Sequence, residues 1–312
     1  MRLSRRGLQI ALGGLWLLDG ALQLQPVMFT TTFARGIIAP AGAGQPTPVH
    51  WLVTTAAAVI GARPVLFDAL FASVQLLIGL GLWWRRSAEG ALVASILWAT
   101  GVWIFGEGFG GIFGSGATLA NGAPGAAILY ALLAVVALDL DWRGKRLTLS
   151  SGSVSIAWVA TWAGLGALAL GLGARAGGTL AASLRASAPG LPSLLRSSST
   201  ALASGLHPAG ALPGVLLGAL CLLIGLAGLA GERWRLVAAV AGGLLALFVW
   251  VFAEAFGGIG TGLATDPNSG PLLVLFAFVL ASGRDGAGRA SLPAMSHASP
   301  VMAMNPRASD AA

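Results

Sequence analysis

The chain has 312 residues, of which 56% are hydrophobic and only 9% charged, and its mean hydropathy is +0.83. A soluble domain carries about 25% charged residues, so this composition excludes an ordinary water-exposed surface. The net charge of +7 comes from arginines scattered in short segments without interleaved aromatic residues, which excludes a nucleic-acid-binding face. We therefore expect an all-α integral membrane protein, with the lipid bilayer as its partner; its protein partners are unknown.

Eight apolar runs approach the roughly 20 residues that a helix needs to cross a bilayer. The fourth and eighth runs are short, so their helices must tilt little in the membrane or have charged side chains at their ends that extend to its surface. In chain order the predicted transmembrane helices are Leu8–Leu24, Val65–Trp84, Ala91–Gly108, Gly125–Leu140, Val154–Leu172, Ala211–Ala230, Leu236–Ala255 and Pro271–Ser282.

The basic residues indicate the orientation of these spans. Thirteen lie before the first span or after an even-numbered span, and five lie in the remaining connections. Cationic loops stay in the cytoplasm, so both termini are predicted to be cytoplasmic. Seventeen arginines against a single lysine are typical of a GC-rich bacterial genome, which places the chain in a bacterial plasma membrane. The basic start of the first span also resembles a signal peptide, but the same segment recurs later in the chain.

The recurrence extends through most of the chain. Residues Val102–Pro124 align without a gap onto Val249–Pro271, with twelve of 23 positions identical. Upstream, Leu76–Leu80 matches Leu222–Leu226 at an offset of 146 residues. A constant register over this length predicts an internal duplication.

The duplication predicts two parallel repeats. Each copy holds four spans, an even number, so both copies enter the membrane in the same direction and are related by an axis along the membrane normal. The predicted units are residues 1–146, residues 147–283 and a disordered cytoplasmic tail, residues 284–312. Each repeat has a long external connection, and Thr47–Gly61 in the first is apolar enough to lie on the membrane as a helix.

The sequence contains no catalytic motif. Cys221 is the only cysteine, so a dithiol redox pair is impossible, and no phosphate-binding loop is present. The three histidines, at positions 50, 207 and 297, lie outside the middle of any span. No metal site or cofactor is identified, and enzymatic activity is not predicted.

Acidic residues in apolar surroundings are the candidate functional groups, because intramembrane carboxylates are costly and usually face a bundle interior or a cavity. Glu107 and Glu254 occupy equivalent positions in the two copies, whereas Asp19 corresponds to Leu165 in the second. All are predicted in the external half of the bundle. The candidate binding residues are Asp19, Gln23, Asp68, Glu107, Glu254, Arg35 and Arg63.

Two interpretations of this cluster remain open. In the structural one, Arg35 or Arg63 pairs with the acids and fixes the external loop, and Glu107 accepts hydrogen bonds from N–H groups freed at the Gly-Gly break that follows it. In the functional one, the acids form an externally open vestibule for a cation, a proton or a polar solute.

Three segments resemble motifs of uncharacterised bacterial polytopic membrane proteins from GC-rich genomes. They are Trp16–Pro26, Phe71–Gly81 and Trp103–Ile112. The four-span unit also resembles the DoxX-like family, whose relatives include a subunit of thiosulfate:quinone oxidoreductase. This resemblance implies a quinone-associated redox accessory subunit and transfers no catalytic residue. The hypotheses are therefore transport or binding of a small solute, proton or cation, a DoxX-like accessory subunit, or a structural component of the envelope.

Overall fold

The computed structural model describes residues 3–114, 117–142, 145–148, 151–171 and 179–282, so the tail predicted to be disordered lies outside the described residues. Within these ranges the chain is helical apart from one short hairpin. The α-helices are α1 (Arg5–Gln23), α2 (Thr47–Ala62), α3 (Pro64–Trp83), α4 (Ala88–Phe105), α5 (Ala126–Ala137), α6 (Ser151–Gly171), α7 (Thr179–Ser187), α8 (Ser193–Leu206), α9 (Leu212–Ala227), α10 (Glu232–Phe252) and α11 (Ser269–Ser282).

Several of these helices suit a membrane. Among the described residues, four helical segments are long and apolar enough to cross one: Pro64–Trp83, Ala88–Phe105, Gly152–Gly171 and Glu232–Thr261. A fifth results if α8 and α9, which meet at a bend of 102°, count as one broken span. The prediction of a helical chain with several apolar helices is confirmed.

A helix occupies each of the eight places where a span is predicted. These helices are α1, α3, α4 and α5 in the first half, and α6, α9, α10 and α11 in the second. Helices α5 and α11 are short, as the apolar runs indicate. The apolar segment predicted as a surface helix from Thr47 to Gly61 corresponds to α2, Thr47–Ala62.

The connection between the two halves contains the only strands among the described residues. Strand β1 (Asp139–Trp142) pairs in antiparallel register with β2 (Lys145–Thr148). Asp139 is opposite Thr148, and Trp142 is opposite Lys145. The predicted linker, Asp141–Gly152, therefore includes most of a two-stranded hairpin.

Helix α1 packs closely on α3, and α6 packs in the same way on α9. A Cβ added to Gly20 of α1 would lie 2.6 Å from Leu76 of α3. A Cβ added to Gly166 of α6 would lie 2.6 Å from Leu222 of α9. Glycine at these positions lets the two helix backbones approach each other, as small residues do in membrane bundles.

Helices α5 and α11 lie between the halves. They contact each other, and they also pack on α1 and α6, respectively. Eight of the twelve residues of α5 are buried, and eight residues of α11 are buried as well. One hydrophobic core runs through both halves by way of these two short helices.

A compact cap covers one end of the first half. It consists of a π-helical turn at Phe33–Ile38, a 3₁₀ turn at Ala39–Gly42, and α2. The cap has its own small core, which includes Met28 and Val53. Phe33 packs edge-on against Phe71 of α3, with ring centroids 6.2 Å apart, so the cap is held on the helix bundle.

Candidate functional site

The candidate site begins where α4 ends. Gly108 and Gly110 have φ angles of +55° and +62°, a left-handed conformation that favours glycine. A Cβ at Gly110 would lie 1.8 Å from the carbonyl oxygen of Pro124. The chain therefore folds back tightly after α4 and places Glu107 against the start of α5.

The Glu107 carboxylate joins these two helices. Its Oε1 accepts a hydrogen bond of 3.0 Å from the backbone N–H of Ala127, at the N-terminus of α5. Its Oε2 is buried and has no hydrogen-bond partner in the protein. The structural interpretation expected N–H groups freed at the Gly-Gly break to be the donors; the donor is instead the first turn of the next helix, where unpaired N–H groups favour a carboxylate.

The environment of Glu107 favours the protonated acid. Burial and the nearby Asp266 carboxylate raise the pKa of Glu107 from 4.5 to about 8, although the backbone N–H groups of Ala127 and Ala126 oppose this rise. Burial also raises the pKa of Asp266, against hydrogen bonds from Thr265 and Asn268. Glu107 therefore titrates close to neutral pH.

Glu254 has the corresponding position in the second half but is more fully bonded. Ser269 Oγ donates to its Oε1, and the backbone N–H of Gly270 donates to its Oε2 at 3.1 Å. Glu254 is 8% exposed and lines an open cleft between the halves, which adjoins the cavity near Glu107 at Gly122 and Asn268 but does not place Glu254 in that cavity's lining. It therefore has fewer free acceptor atoms than Glu107.

Two tryptophan hydrogen bonds identify which residues of the two halves correspond to each other after the Gly-Gly break. Trp103 Nε1 donates to the carbonyl of Pro124, and Trp250 Nε1 donates to the carbonyl of Pro267, both at 2.8 Å. The counterpart of Pro124 is thus Pro267, not Pro271 as in the gapless alignment. The identities that the alignment assigns to the end of this loop are consequently out of register by four residues.

A cavity of about 540 Å³ lies between the cap and helices α1, α3, α4 and α5. Its walls are mostly apolar and aromatic. Trp98 and Phe71 stack edge-on with centroids 5.4 Å apart, and Trp16 and Tyr130 lie 4.3 Å apart. A volume between about 300 and 1,000 Å³ with apolar walls and a few polar groups is typical of a small-molecule site.

Unpaired polar atoms concentrate on this cavity. Buried polar groups almost always have a hydrogen-bond partner, yet three residues that line the cavity have a buried side-chain atom without one in the protein. These atoms are Gln75 Oε1, Trp98 Nε1 and Glu107 Oε2. Asp19 is only 2% exposed, and its carboxyl group interacts with the Tyr130 hydroxyl at the cavity wall.

The cavity is acidic. Three carboxyl groups line it, from Asp19, Glu107 and Asp266, and its described lining contains no lysine, arginine or histidine. Asp266 lies in the loop before α11, so the second half contributes a carboxylate to a cavity in the first half. The Thr265 hydroxyl and the Asn268 N–H hold this carboxylate in place, at 2.8 and 2.7 Å.

The predicted candidates divide into three groups. Asp19, Gln23 and Glu107 line the cavity, and Asp68 is next to it, because its carboxylate accepts a hydrogen bond from Gln23. Glu254 lies apart, as described above. The remaining two candidates, Arg35 and Arg63, are exposed and absent from the cavity lining.

The predicted pairing of Arg35 or Arg63 with the acids is therefore not observed among the described residues. Asp266, Gln75 and Tyr130 are the cavity residues that sequence reasoning missed. One feature of the sequence could have identified Asp266 as a candidate: it follows Glu254 within the loop that corresponds to the loop after Glu107.

The second half lacks the polar lining of the first. At the offset of 146 residues, Leu165, Ala169 and Cys221 replace Asp19, Gln23 and Gln75, and all three are buried. The second half thus has apolar residues at the positions that give the first half its polar lining. Among the described residues, no group of three or more histidine, cysteine, aspartate and glutamate side chains is arranged to hold a metal ion. Comparison with known protein families, curated proteins and solved structures gives no match for this chain.

Proposed function

We propose that the protein is an eight-span membrane protein of two parallel repeats, with cytoplasmic termini, that binds or transports a small cationic solute in the acidic cavity of the first repeat. The helices at all eight apolar runs and the recurring Gly20–Leu76 and Gly166–Leu222 contacts support this architecture. The cavity supports the binding role.

The observation that carries the proposal is the set of buried acceptor atoms around a cavity whose described lining contains no basic side chain. Glu107 Oε2 and Gln75 Oε1 are buried acceptor atoms without a donor in the protein, and the buried Asp19 carboxyl has the Tyr130 hydroxyl as its neighbour. A buried acceptor without a donor costs about 1–3 kcal/mol. An ammonium group brings three N–H donors and a positive charge, and the rings of Trp16 and Trp98 favour a cation electrostatically.

Binding of butylammonium to the purified protein tests this function. We expect saturable binding by calorimetry at pH 8, weakened at least tenfold by Asp19→Asn, which keeps the side-chain shape and removes the ionisable carboxyl group. Glu89→Gln is the matched control, because Glu89 is an exposed carboxylate in the first turn of α4 and far from the cavity lining. Equal binding by wild type and Asp19→Asn contradicts the proposal.

A DoxX-like, quinone-associated accessory subunit is the second candidate. The unpaired Trp98 Nε1 supports it, because this N–H is a donor suited to a quinone carbonyl within an aromatic cavity. Extraction of a quinone from the purified protein, lost in Trp98→Phe, favours this candidate. The absence of quinone together with Asp19-dependent ammonium binding favours the first. If neither ligand binds, a structural role in the envelope remains.

A further inference from the structure

The mouth of the acidic cavity is apolar and lies along α4. Of all the residues that line the cavity, the two that are exposed are Leu97 and Phe105, at 70% and 48%. Every other lining residue is buried or half-buried. The cavity therefore reaches the outer surface of the molecule beside these two large apolar side chains.

The mouth follows one stripe of the helix. Leu97, Gly101 and Phe105 are spaced four residues apart, so they lie one above another on the same face of α4. A Cβ added to Gly101 would meet no atom within 4 Å. The space beside Gly101, between two exposed hydrophobic side chains, is thus open.

The depth of the mouth follows from the length of α4. Eighteen residues span about 27 Å at 1.5 Å per residue, and Leu97 is midway along them. In the proposed membrane orientation, the mouth extends from the middle of the hydrocarbon layer to its external boundary. Acyl chains, and not water, then face it.

The carboxyl groups of the cavity lie beyond the Phe105 end of this stripe or on other elements of the fold. Asp19 belongs to α1 and is 2% exposed, and Glu107 bonds to the start of α5. The Trp98 and Phe71 rings lie between α3 and α4 and form an aromatic wall of the cavity. An occupant that satisfies both the carboxyl groups and the stripe needs a compact cationic head and an apolar tail.

We infer that the ligand is a membrane-borne cationic amphiphile that enters sideways from the bilayer, with an ammonium head at Asp19 and Glu107 and an alkyl chain along Leu97, Gly101 and Phe105. This inference rests on the proposed cation-binding function and adds the class of ligand and its route.

The test compares two alkylammonium probes that differ only in chain length. Binding of butylammonium and dodecylammonium is measured by calorimetry on the full chain in phosphatidylcholine nanodiscs, with empty nanodiscs as the blank. We expect dodecylammonium to bind at least tenfold more tightly, and Asp19→Asn to weaken both probes at least tenfold.

A bulky residue at position 101 gives the second comparison of probe binding. Gly101→Leu should weaken dodecylammonium binding at least tenfold and butylammonium binding less than threefold, because the head site is unchanged. Gly90→Leu is the matched control: Gly90 is exposed on the same helix, a Cβ there also meets nothing within 4 Å, and it does not line the cavity. Size-exclusion profiles and thermal unfolding verify that both variants fold.

The outcomes separate the two proposals. If butylammonium binds in an Asp19-dependent manner while dodecylammonium binds no more tightly, the amphiphile inference fails and the cation site stands. If Gly101→Leu weakens the binding of both probes equally, the alkyl chain does not lie along Leu97, Gly101 and Phe105, and the inference again fails. If neither probe binds, the proposed function fails and the inference fails with it.

Discussion

Glu107 and Ala127 connect the end of one helix to the beginning of another, through a 3.0 Å hydrogen bond from the Ala127 N–H to Glu107 Oε1. The second oxygen of the same carboxylate is buried at the acidic cavity without a partner in the protein. One side chain therefore provides both a structural contact and a free acceptor, and the two contributions are separable by experiment.

Replacing Glu107 by glutamine should preserve the fold and remove a pH dependence. The amide oxygen still accepts from Ala127, so thermal stability at pH 6 should be nearly unchanged. In the wild type the pKa of Glu107 rises from 4.5 to about 8 on folding. The folded chain thus binds the proton more tightly than the unfolded chain, so stability is greatest below pH 4.5 and decreases as the pH rises towards 8.

Thermal unfolding of wild type and Glu107→Gln between pH 5 and pH 9 measures this effect. The wild-type transition should move to lower temperature across this range, and the Glu107→Gln transition should move less. Identical pH profiles for the two proteins would show that Glu107 is ionised throughout and would remove it as the titrating group.

Glu254→Gln should also preserve the fold. The oxygens of Glu254 accept hydrogen bonds from the Ser269 hydroxyl and the Gly270 N–H. The amide oxygen of glutamine can keep the bond from Gly270 while the Ser269 hydroxyl turns to accept from the NH₂ group, so we expect a loss of stability below about 1 kcal/mol. Butylammonium binding should change less than twofold. A large loss of binding in a stable Glu254→Gln protein would extend the site into the second half.

Gly110→Ala should severely destabilise the protein. The added Cβ would lie 1.8 Å from the Pro124 carbonyl oxygen, and the φ angle of +62° is itself unfavourable for alanine. Left-handed strain and overpacking each cost about 1–3 kcal/mol, so a total loss of at least about 3 kcal/mol is expected. Gly14→Ala in α1 is the control, because its Cβ meets nothing within 4 Å. Equal thermal unfolding of the two variants would contradict the tight turn after α4.

Membrane topology is tested with reporter fusions. Fusions after Arg86, Arg146 and Arg235 should report the cytoplasm, since basic residues are concentrated there. Fusions within Gly42–Gln45 and Ser197–Ser199 should report the external side. An exchange of any position between these two sets would exclude the eight-span arrangement.

The sequence predicted the helices better than the site. Apolar runs locate α1, α3 and α4 well, because a continuous apolar run of about 20 residues predicts a long helix. Asp266 was missed because its role depends on how a loop of one half packs on the cavity of the other. The suggested ion pairs of Arg35 and Arg63 are not observed among the described residues, because sequence proximity to acids does not determine where an exposed side chain points.

The four-residue error of the sequence alignment in the second loop also arose because the sequence does not show how this loop packs. Chance matches, such as Pro124 with Pro271, extended the gapless alignment past the point where the two loops differ in length. The hydrogen bonds of Trp103 and Trp250 identify the correct partners, Pro124 and Pro267, and these bonds connect residues 21 and 17 positions apart in the chain. No local pattern contains that information.

Asp266→Asn tests whether the second half completes the cavity of the first. Asp266 raises the pKa of Glu107 through charge repulsion, so its neutralisation should move the Glu107 pKa from about 8 towards lower values. A cation binds better when Glu107 is ionised, and butylammonium affinity in the wild type should therefore increase from pH 6 to pH 9 with a midpoint near 8. In Asp266→Asn the midpoint should move to lower pH. Affinity at pH 9 should fall, because one of three carboxylates is gone.

Asn keeps the acceptor for the Asn268 N–H, so the loop before α11 should persist and thermal stability should be largely preserved. Calorimetry at four or more pH values, on wild type, Asp266→Asn and the exposed-site control Glu89→Gln, gives both the midpoint and the limiting affinity. The control should match the wild type in both. A midpoint that stays near 8 in a folded Asp266→Asn protein would mean that this carboxylate does not act on Glu107, and that the cavity is built by the first half alone.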